Sequence, residues 1–196
     1  IWIDEDVLRL NTDGRGRYLG EFQGEDRILV VNKNGTYYTT DYDLSNHYEE
    51  GFSVIEKYEP EKVWSAVFFD AEQQFYYLKR FRFENVVRHT LFIGETEGSY
   101  LVALSGEKRP RFEVVFGGRY ESRPAEVIVA DEFIAEKSYK ARGKRVTTYE
   151  VKQISEIEPL DSGDEESEET VSTDIDFEIT NPDMLSDETQ MRLDFE

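Results

Sequence analysis

The sequence predicts an all-β chain: a propeller-like disc of about four blade-like repeats, followed by an acidic tail. Three observations carry that prediction. Aromatic residues are abundant, with 13 Phe and 12 Tyr among 196 residues, and aromatic and β-branched side chains suit a pleated, half-buried surface. Strand-like stretches recur at a near-constant interval, which is the mark of a repeat architecture. No stretch carries a helical apolar stripe over three turns.

The elements follow in order. Val7–Leu10 and Tyr18–Phe22 flank Thr12-Asp13-Gly14-Arg15-Gly16 and read as an opening hairpin. Asp26–Tyr42 places Asn34-Gly35 between an apolar run and alternating Tyr and Thr. Asn-Gly is a strong hairpin signal because tight primed turns need positive φ. Lys62–Phe83, Gly98–Phe116 and Glu132–Val151 each read as strand, turn, strand. These four units begin at residues 26, 62, 98 and 132, spacings of 36, 36 and 34. Short extended segments separate them: Phe52–Tyr58, Thr90–Gly94 and Glu126–Ala130. One connecting strand plus one hairpin per repeat is the pattern of a blade. A sandwich also gives short strands at regular spacing, but the near-constant period favours blades.

Charge divides the chain further. Its formal net charge is −20, which taken alone argues against polyanionic partners. Residues 1–78 hold 7 bases against 16 acids, whereas residues 79–152 hold 15 against 11. Residues 159–196 hold one base, Arg192, against 14 acids. Pro159–Thr170 has little to bury and reads as disordered. Val171–Ile179 alternates enough to add a strand to an exposed edge. The expectation is a body of residues 1–158 and an acidic tail of residues 159–196 that competes for the body's bases.

Several function classes find no support. With no cysteine there is no disulfide framework and no thiolate metal site, which fits a reducing, cytoplasmic setting. No apolar run approaches the length of a membrane span, and no signal peptide opens the chain. Ile1 already lies in a strand-like stretch, so the chain reads as a fragment of a longer polypeptide. His47 and His89 lack any ligand spacing, and Gly14-Arg15-Gly16 is too short for a dinucleotide loop. Glu165, Glu166, Glu168 and Glu169 form a run better read as solvated than as a cation site. The expectation is no catalytic residue, no metal and no cofactor in this chain.

The bases are more informative. In Leu78–Phe83 a strand period of 2 puts Arg80 and Arg82 on one face and Phe81 and Phe83 on the other. Lys108, Arg109 and Arg111 cluster on the next unit, and Lys140, Arg142, Lys144 and Arg145 on the last. Any one cluster could be a charged edge that deters aggregation. Their recurrence favours an arc of cations that meets the phosphates of a curved duplex without reading its bases.

Val7–Phe22 (VLRLNTDGRGRYLGEF), the following ILVVNKNGTYYT and Lys140–Val151 (KARGKRVTTYEV) resemble the C-terminal domain of the A subunit of bacterial type IIA topoisomerases. The Gly-Lys-Arg-x-Thr arrangement at Gly143–Thr147 is similar to that family's blade motif. The resemblance covers most of residues 1–158. It implies a β-pinwheel that contacts duplex DNA on its basic outer edge. It also implies two protein partners, the B subunit plus the remainder of the A subunit, in the cytoplasm at the nucleoid. The parent enzyme is an ATP-dependent isomerase whose catalytic tyrosine lies in another domain, so no catalytic residue carries over. The Gln-Arg-Arg-Gly-Gly-Lys-Gly box that marks gyrase is missing. The chain therefore resembles the topoisomerase IV form of this domain more than the DNA gyrase form.

The last stretch adds one expectation. Gln190-Met191-Arg192-Leu193-Asp194-Phe195 is similar to the peptide by which bacterial replication proteins dock on the sliding clamp. Gln190 would supply an amide, and Met191, Leu193 and Phe195 the apolar anchors; the alternative is that these three pack back onto the body. The leading functional expectation is a non-catalytic DNA-binding and DNA-bending module. The alternative is a protein-interaction module whose acidic first half recruits a partner, with little affinity for DNA.

Overall fold

A computed structural model describes residues 1–160. The expectations for residues 161–196, including Val171–Ile179, the acidic run and Gln190–Phe195, lie outside the described residues. Within them the chain is almost entirely β, arranged as four antiparallel sheets.

Sheet I holds β1 (Trp2–Asp4), β2 (Arg9–Asn11) and β3 (Arg17–Tyr18), in the order β2-β1-β3. Sheet II holds β4 (Ile28–Asn32), β5 (Thr36–Thr40), β6 (Phe52–Lys57) and β9 (Thr90–Leu91), in the order β6-β4-β5-β9. Sheet III holds β7 (Trp64–Asp70), β8 (Phe75–Phe81), β10 (Tyr100–Ser105) and β13 (Lys144–Arg145), in the order β10-β7-β8-β13. Sheet IV holds β11 (Arg111–Phe116), β12 (Glu126–Val129) and β14 (Val151–Ile157), in the order β12-β11-β14.

One wiring rule generates all four. The first strand of each sheet pairs with the second on one side and the third on the other. The outer edge of the second strand is then covered by a segment on loan from the next sheet's connection between its second and third strands. His47 bridges Arg9 beside β2, β9 pairs with β5, and β13 pairs with β8. In sheet IV no strand of the described residues covers the outer edge of β12.

The pattern of side chains explains why these sheets stack. In β4 the run Ile-Leu-Val-Val is buried throughout. Ile28 and Val30 pack with Ile3, Leu10 and Tyr48, towards sheet I. Leu29 and Val31 pack with Trp64, Phe68 and Phe81, towards sheet III. A strand covered on both faces reads as a continuous apolar run, with alternate residues serving opposite cores. β7 repeats the device: Ala66 and Phe68 join sheet II's side, and Val67 joins Phe112, Val114 and Phe116 of sheet IV.

The Asn34-Gly35 hairpin is present, with Gly35 at φ +82° and β4 paired to β5. Three expected hairpins are not. Gly98–Phe116 divides, because β10 joins β7 in sheet III whereas β11 opens sheet IV. Its connection, residues 106–110, contains no tight-turn pair and ends at Pro110, which has no amide to donate. Glu132–Val151 divides too: it starts inside a short helix α1 (Ala130–Phe133), lends β13 to β8 and returns as β14 beside β11. At the start, β1 lies between β2 and β3, so Val7–Leu10 and Tyr18–Phe22 do not form a hairpin with each other. The sheets' first strands begin at Trp2, Ile28, Trp64 and Arg111, so the interval of 36 holds only for the middle pair.

Gly143 turns the chain into β13 at φ +93°, and a Cβ there would run into the carbonyl oxygen of Leu78. Gly143→Ala combines left-handed strain with a backbone clash. It is expected to lower the unfolding free energy by roughly 1–3 kcal/mol, read from urea denaturation. An unchanged denaturation midpoint would mean that the turn relaxes freely.

Candidate nucleic-acid interface

β8 sets the first basic cluster. The alternation at its end buries Phe81 and, just past the strand, Phe83, at 0% and 2% exposure. Arg80 is half-buried, and one guanidinium nitrogen donates to the Ile134 carbonyl at 3.3 Å. Arg82 is exposed but held between Glu61 at 2.8 Å and Glu136 at 3.1 Å. In the second cluster Arg109 contacts Asp131 at 3.2 Å and Glu132 at 2.7 Å, and Arg111 donates to the Glu158 carbonyl at 2.6 Å. Lys108 is exposed.

The third cluster joins the first. β13 runs antiparallel to β8, with Lys144 opposite Leu78 and Arg145 opposite Tyr77. The Arg142 guanidinium reaches the buried Asp70 at 3.4 Å and Glu72 at 3.2 Å. Lys144 donates to the Phe133 carbonyl and lies 4.2 Å from that ring's centroid, and Arg145 lies 4.6 Å from the centroid of Phe75. The three clusters therefore do not occupy matching places in three repeats. Two share sheet III, and the Arg109 cluster sits on the link into sheet IV.

The matching places are the loaned segments. Residues 86–92 run beside β5, where Thr39 donates to the Val86 carbonyl and Phe92 to the Gly35 carbonyl. Residues 144–146 run beside β8 in the same way, with Val146 donating to the Tyr76 carbonyl. The first of these carries Arg88, and the second follows directly on Lys140 and Arg142. Single-strand reading could not see that equivalence, and it passed over Arg88, Arg119 and Lys137, all exposed. A signal exists for Arg88, which stands next to the short extended segment Thr90–Gly94 between expected hairpins. Among the described residues Arg88, Lys108, Lys137, Lys140, Lys144 and Arg145 form no ion pair. These charges can meet an anion without first releasing a carboxylate.

Beneath this surface lies Lys79, 3% exposed. Its ammonium donates to the carbonyls of Phe92, Tyr139 and Ala141, the last two at 2.5 and 3.2 Å. Three donors meet three acceptors, so the charge is fully hydrogen-bonded without a carboxylate. Burial nonetheless pushes its pKa down to about 8. The contact ties the loaned segments around β9 and β13 to β8. Beside it a cleft of about 520 Å³ is lined by Asp70, Glu72, Lys140 and Arg142, among others. Among the described residues no group of His, Asp and Glu could hold a metal ion, and no helix is long and apolar enough to cross a membrane.

A chain of strand-exchanging β-sheets with exposed cations on its loaned strands defines a β-pinwheel repeat module. The family model for the topoisomerase C-terminal domain of Bacteroidota matches residues 9–158. The chain belongs to that family. No curated protein matches it. Among solved structures, the C-terminal domain of DNA topoisomerase IV is similar, with 12% identity and a TM-score of 0.46, covering 79% of this chain. The chain spans about half of that structure's length, 54%.

Proposed function

We propose that this domain binds and bends duplex DNA as the C-terminal module of the A subunit of a type IIA topoisomerase, of the topoisomerase IV kind. It would hold a DNA segment for strand passage carried out by the catalytic core elsewhere in the enzyme. The observation that carries this reading is the set of exposed cations without an ion pair in and just before β13, Lys140, Lys144 and Arg145, with Lys108 on the link into sheet IV. Backbone phosphates need charge and reach from such groups, and no base-specific geometry. Bending ~20–30 base pairs costs on the order of 1–6 kcal/mol, which several phosphate contacts can offset. The partners this reading brings are duplex DNA, the B subunit, plus the remainder of the A subunit. A sliding-clamp contact through Gln190–Phe195 rests on that hexapeptide alone.

The test is fluorescence anisotropy of the chain with labelled duplexes of two unrelated sequences across a salt series. Saturable binding is expected, with equal affinity for both sequences and a steep loss with salt. Deleting residues 159–196 should raise affinity at low salt, because 14 acids leave with the tail. No binding at low salt by either form would leave the protein-interaction reading.

A further inference from the structure

The segment 131–136, made of α1's last residues and the extended stretch after it, meets all three basic clusters. Asp131 and Glu132 hold Arg109. Glu136 holds Arg82. The Ile134 carbonyl accepts from Arg80, and the Phe133 carbonyl accepts from Lys144. Glu132 is 63% exposed and Glu136 36%, so neither is there to fill a core. Sequence order separates these bases widely. The lending of β13 to β8 is what gathers them around one short acidic stretch.

We propose that Glu132 and Glu136 act as resident substitutes for DNA phosphates and set the affinity of the basic surface. This rests on the DNA-binding reading above. Each carboxylate takes a position on a guanidinium that a phosphate oxygen could take, beside Glu61 on Arg82 and beside Asp131 on Arg109. The Arg82–Glu136 pair is exposed on both sides, and Glu132 reaches Arg109 from solvent; such exposed carboxylates contribute little to stability, so a phosphate can displace them at small cost. Duplex binding then proceeds by exchange: Arg82 and Arg109 trade carboxylate for phosphate, and the two glutamates are released to solvent. The exchange weakens binding, and it gives the surface a lower affinity than its count of bases implies.

The test is the double variant Glu132→Gln, Glu136→Gln in the full chain, which keeps side-chain volume while removing both charges. Its comparator is Glu49→Gln, Glu50→Gln, an equal charge change at two exposed positions in the acidic first half. Duplex affinity of the Glu132/Glu136 variant should rise roughly three- to tenfold at low salt. The slope of log affinity against log salt should steepen by up to ~0.9 for each guanidinium recruited. The comparator should move affinity far less. If wild type binds and both variants gain equally, the effect is net charge alone and the proposal is overturned. If wild type binds and the Glu132/Glu136 variant gains nothing, the proposal is overturned while the DNA-binding reading stands. Binding by the Glu132/Glu136 variant but not by wild type would support the substitution in its strongest form. Binding by none of the three would overturn both readings.

Discussion

Lys79→Met is expected to destabilise the protein by about 2–4 kcal/mol at neutral pH, because methionine fills the space but donates nothing to three buried carbonyls. Those carbonyls belong to Phe92, Tyr139 and Ala141, on the segments lent to sheets II and III. The loss should therefore loosen the β5–β9 and β8–β13 pairings before the hairpins themselves. Urea denaturation followed by tryptophan fluorescence gives the magnitude, and amide exchange along β9 and β13 gives the location. The pH dependence has a definite sign. The folded pKa is lowered to about 8 from 10.5. Below pH 8 the lysine is protonated in both states. Between 8 and 10.5 the unfolded chain holds more protons than the folded one, so wild-type stability gains with pH relative to Lys79→Met. The gap should widen by up to about 3 kcal/mol over that window. A gap that stays constant from pH 7 to 10.5 would show that burial does not perturb the ammonium.

The second large effect concerns DNA. Replacing Lys140, Lys144 and Arg145 together with Ala is expected to cut duplex affinity by roughly 10- to 100-fold at low salt. The salt slope should flatten by about 2–3, at ~0.9 for each phosphate no longer neutralised. None of the three forms an ion pair among the described residues, so their removal strands no carboxylate partner. A matched triple change at Arg9, Arg27 and Lys33, in the acidic first half, should leave the slope nearly unchanged. If both triple variants lose affinity alike, binding is diffuse attraction rather than contact along β13.

The fold was legible wherever local chemistry decides structure. Asn34-Gly35 specifies its hairpin because φ must be positive there, and the Phe81/Phe83 alternation specifies which side chains at and just past the end of β8 are buried. The failures share one cause. Whether β10 pairs with β11 or β7 depends on partners far away in the sequence, and strand periodicity is the same for either pairing. The same blindness affected the surface. Arg80, Arg82 and Arg109 read as free cations, since the acids that engage Arg82 and Arg109, namely Glu61, Asp131, Glu132 and Glu136, and the carbonyl that engages Arg80 arrive from other segments. Lys79 stood beside Arg80 in the sequence with nothing to mark it as buried. The arrival of Phe92 and of residues 139–141 covers it.

The wiring of the sheets has a bearing on how this domain can be cut. A fragment ending after β6 would contain every strand of the second hairpin unit, yet its second sheet would lack Thr90–Leu91 and show a raw edge along β5. Ending after β10 would strip Lys144–Arg145 from β8 in the same manner. No break between neighbouring units leaves both halves whole, so shortening or grafting by single units should yield sticky, poorly soluble pieces. A clean excision takes a unit together with the loop that follows, and the recipient must then supply a replacement for the strand it displaces. Growth or loss of units over evolutionary time would have to obey the same joinery.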